Sequence, residues 1–217
     1  MPRTASATDC IRCTACPRLA AFLGDVRAAH PDYFARPVPP FGDARARLLI
    51  VGLAPGLHGA NRTGRPFTGD HAGILLYETL HRFGFASAPV SRAADDGLAL
   101  IDCRITNAVK CLPPANKPEP AEIRTCNRWL ARELAASPEV RVIIALGQIA
   151  HRAVLMAHDL KAGAFGFAHA AAHGLPHGRQ LIDSYHCSRY NTQTRRLTAE
   201  SFRVVFAQAR AALDAAR

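Results

Sequence analysis

The chain has 217 residues, 49% of them hydrophobic and 20% charged, a globular composition that buries a core without disulfides and excludes a disordered or fibrous chain. Lysine and arginine number 27 against 17 acidic residues, a net charge of +10, which points to a polyanionic partner, foremost nucleic acid. No apolar run reaches the ~18 residues of a membrane span, and the polar stretch 1–10 lacks a signal-peptide core, so a cytoplasmic chain with no membrane partner is expected.

The stretch 9–24 opens with Cys10, Cys13 and Cys16 and continues in an apolar, helix-like pattern. Cys10-Ile-Arg-Cys13 and Cys13-Thr-Ala-Cys16 both have C-x-x-C spacing, so Cys10 competes with Cys13 or Cys16 as a ligand. The chain holds 7 cysteines in all; an odd count in a cytoplasmic setting favours metal binding or catalysis over disulfides. The proline-rich 37–41 reads as an extended connector. Residues 47–54 form a short apolar run that stops at Pro55-Gly56, the pattern of a buried strand and a tight turn.

Next comes Gly59-Ala-Asn-Arg-Thr-Gly-Arg-Pro-Phe-Thr-Gly-Asp70, the most unusual stretch of the chain. Its glycines bring the backbone close to whatever binds, Arg62 and Arg65 add charge, and Phe67 offers a flat face. Exposed amides between a strand end and a helix start suit a planar base on a phosphate chain. Neither the P-loop nor the dinucleotide fingerprint is present. A helix is predicted over 72–83, with Asp70 as its cap. A strand over 99–109 leads to Cys111, and a helix over 121–136 carries Cys126. A strand over 140–147 and a helix over 148–158 follow. The last pair is a strand over 180–185 and a helix over 199–216, with Thr198 as its cap.

Strands alternating with helices predict an α/β fold, a three-layer α/β/α sandwich around a short, mainly parallel four-stranded sheet. Sites in such sheets sit at the carboxyl ends of the strands, here 54–70, 107–117, 147–148 and 186–194. His186 follows the last strand within Ser184-Tyr-His-Cys-Ser-Arg-Tyr-Asn191, a position that marks it as a site residue rather than a core histidine. His158, His169, His173 and His177 fall in a glycine- and alanine-rich stretch; with no matching carboxylate near them, they are read as structural or surface residues. Cys103 and Cys187 are read as small buried apolar groups. The remaining pairs, Cys13 with Cys16 and Cys111 with Cys126, suit either zinc or a [4Fe–4S] cluster, and their unequal spacing departs from a zinc ribbon.

Together these segments resemble the uracil-DNA glycosylase superfamily, and within it family 5, the iron–sulfur or type B group. The residues that carry the resemblance are Cys13-x-x-Cys16-Pro-Arg-Leu19, Gly52-Leu-Ala-Pro-Gly56, the run Gly59 to Asp70, Asn107-Ala-Val-Lys-Cys111, Asn116-Lys-Pro118 and Tyr185-His-Cys-Ser-Arg-Tyr-Asn-Thr-Gln-Thr194. The resemblance implies a monomeric enzyme, one domain over 1–217 with the N-terminal cysteine segment packed on the cluster. It implies that Cys13, Cys16, Cys111 and Cys126 hold a [4Fe–4S] cluster. Its partner is DNA containing uracil or other deaminated bases, such as hypoxanthine and xanthine. His186 and Asp70 are the implied catalytic residues. Ala54, Pro55, Gly56, Phe67, Asn107 and Asn116 would bind the base, and Arg62, Arg65, Ser188, Arg189 and Asn191 the DNA. Many superfamily members carry an acid or amide before the proline of the first motif to position water; here Leu53 and Ala54 stand there, as in family 5. That departure keeps a non-cutting damaged-DNA binder open, and the cysteines alone keep an iron–sulfur redox protein open.

Overall fold

The computed structural model describes residues 7–215. The leader expectation for 1–10 falls largely on 1–6, and the predicted helix end at Ala216 also lies outside the described residues. No helix among the described residues is long and apolar enough to cross a membrane.

The strands are β1 (Phe41–Gly42), β2 (Leu48–Gly52), β3 (Cys103–Asn107), β4 (Val142–Leu146), β5 (Ala172–Leu175) and β6 (Arg179–Ser184). They form one 6-stranded sheet in the order β1-β3-β2-β4-β6-β5. The α/β class stands, but the sheet has six strands where the apolar runs predicted four. The four runs are the inner strands, parallel to one another. The two additions are antiparallel edges. β1 is two residues long and starts at the last residue of the proline-rich connector, and β5 reads Ala-His-Gly-Leu. An edge bonded on one side only needs no continuous apolar run, so neither strand carries the pattern by which the others are recognised.

The helices are α1 (Pro17–Ala29), α2 (Ala60–Thr63), α3 (His71–Arg82), α4 (Pro120–Ala135), α5 (Gln148–Ala157), α6 (Arg189–Gln193) and α7 (Ala199–Ala215). Alternate side chains of the inner strands face opposite layers. Leu48, Ile50, Ile105, Ile144 and Ile182 pack with Leu76 and Leu80 of α3 and Phe202 and Phe206 of α7. Leu49, Val51, Ile143, Ala145 and Leu181 pack with Leu130 and Leu134 of α4 and Val154 of α5. A third cluster joins Leu19, Leu23 and Val26 of α1 to Trp129 and the cysteines.

Both predicted caps form. Asp70 Oδ1 accepts from Gly73 N at 2.9 Å and Thr198 Oγ1 from Ser201 N at 3.0 Å, each contributing about 1 kcal/mol. The register matters most for the site. Gly52 pairs with Asn107 and Leu146 with Ser184, so the inner strands end level. The backbone stays tied one step further: Ala108 N donates to Gly52 O at 2.9 Å and Gly147 N to Ser184 O at 2.8 Å. The turns that follow therefore emerge on one rim.

Candidate active site and cysteine centre

A cavity of about 460 Å³ opens on that rim. Leu53, Ala54 and Gly56 enter it from the turn after β2, Phe67 and Asp70 from the glycine-rich stretch, Asn107 from the end of β3, and His186, Ser188 and Arg189 from the segment after β6. Asn116 reaches it from the loop before α4. Nine of the expected site residues, drawn from five segments of the chain, thus meet around one space.

Close approach at Gly52 shapes the floor. A Cβ there would lie 2.4 Å from Asn107 Oδ1 and 2.5 Å from Phe67 Cζ, so only glycine lets the amide and the ring converge. Phe67 holds a left-handed φ of 55° and is 5% exposed, with its ring 5.9 Å from that of His186 and inclined by 28°. Asn107 Oδ1 is buried and has no hydrogen-bond partner among the described residues. An orphaned buried acceptor costs about 1–3 kcal/mol, and a ligand N–H would relieve it.

The two expected catalytic groups are held differently. Asp70 gives one carboxylate oxygen to the first turn of α3; the other lies where a Cβ on Gly59 would meet it at 2.4 Å and one on Gly56 at 3.5 Å. Burial pushes this carboxyl up, against the Gly73 and Ala72 amides and the His71 charge, which pull it down. Burial pushes His186 down to about 4, so at neutral pH it is a neutral imidazole that donates through one ring nitrogen. Asn191 does not line the cavity; its Nδ2 donates to His186 O at 2.8 Å and fixes the histidine's backbone. Pro55 is buried behind its turn.

The arginines separate. Arg62 is exposed and lines an adjoining groove of about 860 Å³ with Arg92 and Arg189. Arg65, expected at the DNA, points inward and is 3% exposed. It pairs with Asp96 at 2.6 Å, donates to Ser91 Oγ at 2.9 Å and Thr68 Oγ1 at 3.0 Å, and lies over the Phe41 ring at 4.7 Å. Its charge is consumed in clamping the loop before β3 to the glycine-rich stretch. The Arg65 guanidinium and backbone amides hold the Asp96 carboxyl well below the usual range, against a desolvation that would raise it.

The cysteines gather on the far side of β3. Cys13, Cys16, Cys111 and Cys126 line one small cavity with Trp129 and Lys110, and no disulfide joins any of the chain's cysteines. Cys10 is buried in the same apolar cluster but does not line that cavity. Lys110 N donates to Cys126 Sγ at 3.3 Å and Arg128 Nη2 to Cys13 Sγ at 3.2 Å. Burial and the neighbouring sulfurs push the Cys111 thiol up. At Cys13 burial also raises the thiol, but the Ala15 amide, Trp129 and Arg128 together hold it below the ordinary value. Four thiolates around one space are a donor set for zinc or for a [4Fe–4S] cluster.

Two features escape sequence reading. Lys110, 1% exposed, stands between the two centres: its Nζ pairs with Glu133 Oε1 at 2.8 Å and donates to Asn107 O at 2.9 Å. The histidine stretch also does have its carboxylate: Asp183 Oδ2 is 3.1 Å from His173 Nε2. It comes from β6 across the hairpin with β5, an edge strand that the apolar pattern does not reveal.

The family model described as "Uracil DNA glycosylase superfamily" matches residues 39–210. A Type-5 uracil-DNA glycosylase of Thermus thermophilus is 51% identical over 97% of this chain and 98% of its own length. A Type-5 uracil-DNA glycosylase of Pyrobaculum aerophilum is 42% identical over 94% of this chain and 90% of its own. A Type-4 uracil-DNA glycosylase of Archaeoglobus fulgidus is 37% identical, over 57% of this chain and 55% of its own.

Proposed function

The chain belongs to the uracil DNA glycosylase superfamily, and from that premise we propose that it is a monomeric enzyme that cuts the N-glycosidic bond of uracil in DNA. The observation that carries this reading is the orphaned acceptor of Asn107, facing the same cavity as Phe67, Asp70 and His186.

A base inside a duplex must first be flipped out, at a cost of a few kcal/mol that is least for a mismatched base. In the cavity the Phe67 face stacks on it, and Asn107 Oδ1 accepts the N–H of its Watson–Crick edge. Bond cleavage leaves negative charge on the departing base and positive charge on the sugar. His186, neutral at working pH, donates to the base oxygen that gains charge, helped by the amides of the 54–56 turn; donors fixed in advance are the strongest source of such stabilisation. The second oxygen of Asp70 faces the developing sugar cation and orients the attacking water, a task that Leu53 and Ala54 cannot perform. Arg62 and Arg189, with Ser188, meet the phosphates. Cys13, Cys16, Cys111 and Cys126 would hold a [4Fe–4S] cluster, whose contribution is to tie the N-terminal segment to β3 and α4.

The cavity, about 460 Å³, lies within the usual ~300–1,000 Å³ range of ligand sites. That room supports hypoxanthine and xanthine as further substrates, and the reaction as the opening step of base excision repair. The test is a duplex with a single uracil, treated with protein and then with alkali. Strand scission at the uracil is expected; tight binding without alkali-labile product would instead favour a damaged-DNA binder. Asp70→Asn separates the roles of the carboxylate, because asparagine caps a helix equally well. The fold should keep its stability while the single-turnover rate drops.

A further inference from the structure

We propose that His151, His173 and Asp183 form a binding site for a divalent transition metal, zinc by its ligand chemistry, separate from both the base cavity and the cysteine centre. The three come from different elements: His151 from α5, His173 from the edge strand β5 and Asp183 from β6. Their ligand atoms all lie within 4.8 Å of one another. Sheet register brings the strand residues together. His173 pairs with Leu181, so it shares a face with Leu181 and Asp183, the face that α5 covers.

Proton counting makes the site more than a hydrogen-bonded trio. Asp183 is 0% exposed, and among the described residues its ion-pair partners are the two imidazoles alone. His173 Nε2 lies 3.1 Å from Oδ2. His151 is different, because both its nitrogens face acceptors: Nε2 lies 3.1 Å from Phe165 O and Nδ1 lies 2.7 Å from Asp183 Oδ1. A neutral imidazole carries one proton. With that proton given to Phe165 O, a second proton or a metal ion must stand between Nδ1 and the carboxylate; with it given to Asp183, Nε2 faces the Phe165 carbonyl lone pair to lone pair.

Three features favour the metal. A backbone carbonyl on the outer nitrogen is the usual partner that fixes a metal-binding histidine, leaving its other nitrogen free to ligate. Two imidazoles and a carboxylate are a zinc donor set with an open fourth position. A cavity of about 350 Å³ lined by His151, Phe165 and Phe167 adjoins one of the three, and half-buried His173 sits on an edge strand paired on one side only. Rings of Phe167 against His151 at 5.6 Å and Phe165 against His173 at 5.8 Å screen the site and strengthen its electrostatics.

The experiment uses the tag-free protein with its iron in place. It is dialysed against zinc and then against metal-free buffer, and zinc and iron are counted together. About one retained zinc per chain is expected, with X-ray absorption giving nitrogen and oxygen neighbours at ~2.0–2.1 Å. His173→Ala, a change on the half-buried edge, should weaken zinc retention by at least roughly tenfold with iron content unchanged. No retained zinc, sulfur neighbours at ~2.3 Å, or undiminished retention in His173→Ala would each overturn the proposal and leave a proton between His151 and Asp183. The absorption spectrum of the unaltered chain decides the matter even if the variant fails to fold.

Discussion

The base cavity and the cysteine centre share one strand end, four residues apart at Asn107 and Cys111, and they are built on opposite principles. Around the cavity the backbone is fixed and polar atoms are left unspent: among the described residues Asn107 Oδ1 has no hydrogen-bond partner, and one oxygen of Asp70 faces the gap left by Gly56 and Gly59. Around the cysteines two of the four sulfurs are already engaged, Cys126 and Cys13 accepting N–H bonds from Lys110 and Arg128. The first region stores unmet interactions for a ligand; the second spends its interactions on joining α1, β3 and α4. Substitutions should therefore damage chemistry in one region and folding in the other.

The largest effect is expected at Cys126→Ala, which should lose the brown colour, the iron and the solubility together. Cys103→Ala and Cys187→Ala, outside the centre, should keep all three, and a purified protein holding zinc but no iron would contradict the contrast. Next comes Lys110→Met, which strands the buried Glu133 carboxylate and should cost about 3–5 kcal/mol in denaturant melts. His186→Ala should lower the single-turnover rate by roughly a hundredfold, with uracil-duplex binding and iron content intact. It also carries a pH signature. The folded-state pKa of about 4 lies below the ordinary 6.5, so between those values the unfolded chain binds the proton and the folded one does not. The unaltered protein should lose stability as the pH falls from 6.5 towards 4, and His186→Ala should lose less over that window. The smallest effect separates the two arginines. Arg62→Ala should weaken DNA binding and reduce its salt slope by about 1 with little change in melting, whereas Arg65→Ala should lower the melting temperature and leave the slope alone.

Legibility in the sequence follows the range of the interaction. The inner strands show as apolar runs, and Asp70 and Thr198 show as caps because a cap's partners lie three residues away. Phe67, Asn107 and His186 show because the carboxyl-end rule places them on one rim. Arg65 looks like a phosphate contact until Asp96, far downstream and without periodic signature, is folded onto it. Lys110 and Glu133 belong to different elements and sit among residues that give no hint of pairing. Asp183 hides its histidine partners because β5 carries too little apolar sequence to announce the hairpin.

The cap on α3 has a consequence for turnover. The Asp70 carboxylate is bonded to Gly73 N and wedged beside Gly59, so its rotamer is chosen when the chain folds. A free carboxylate side chain would surrender rotational entropy at every encounter with substrate, of order 0.5–1.5 kcal/mol for a side chain immobilised on binding. Here that ordering happens once in the lifetime of the molecule, and under the proposed mechanism each flipped nucleotide would meet a carboxylate already standing still.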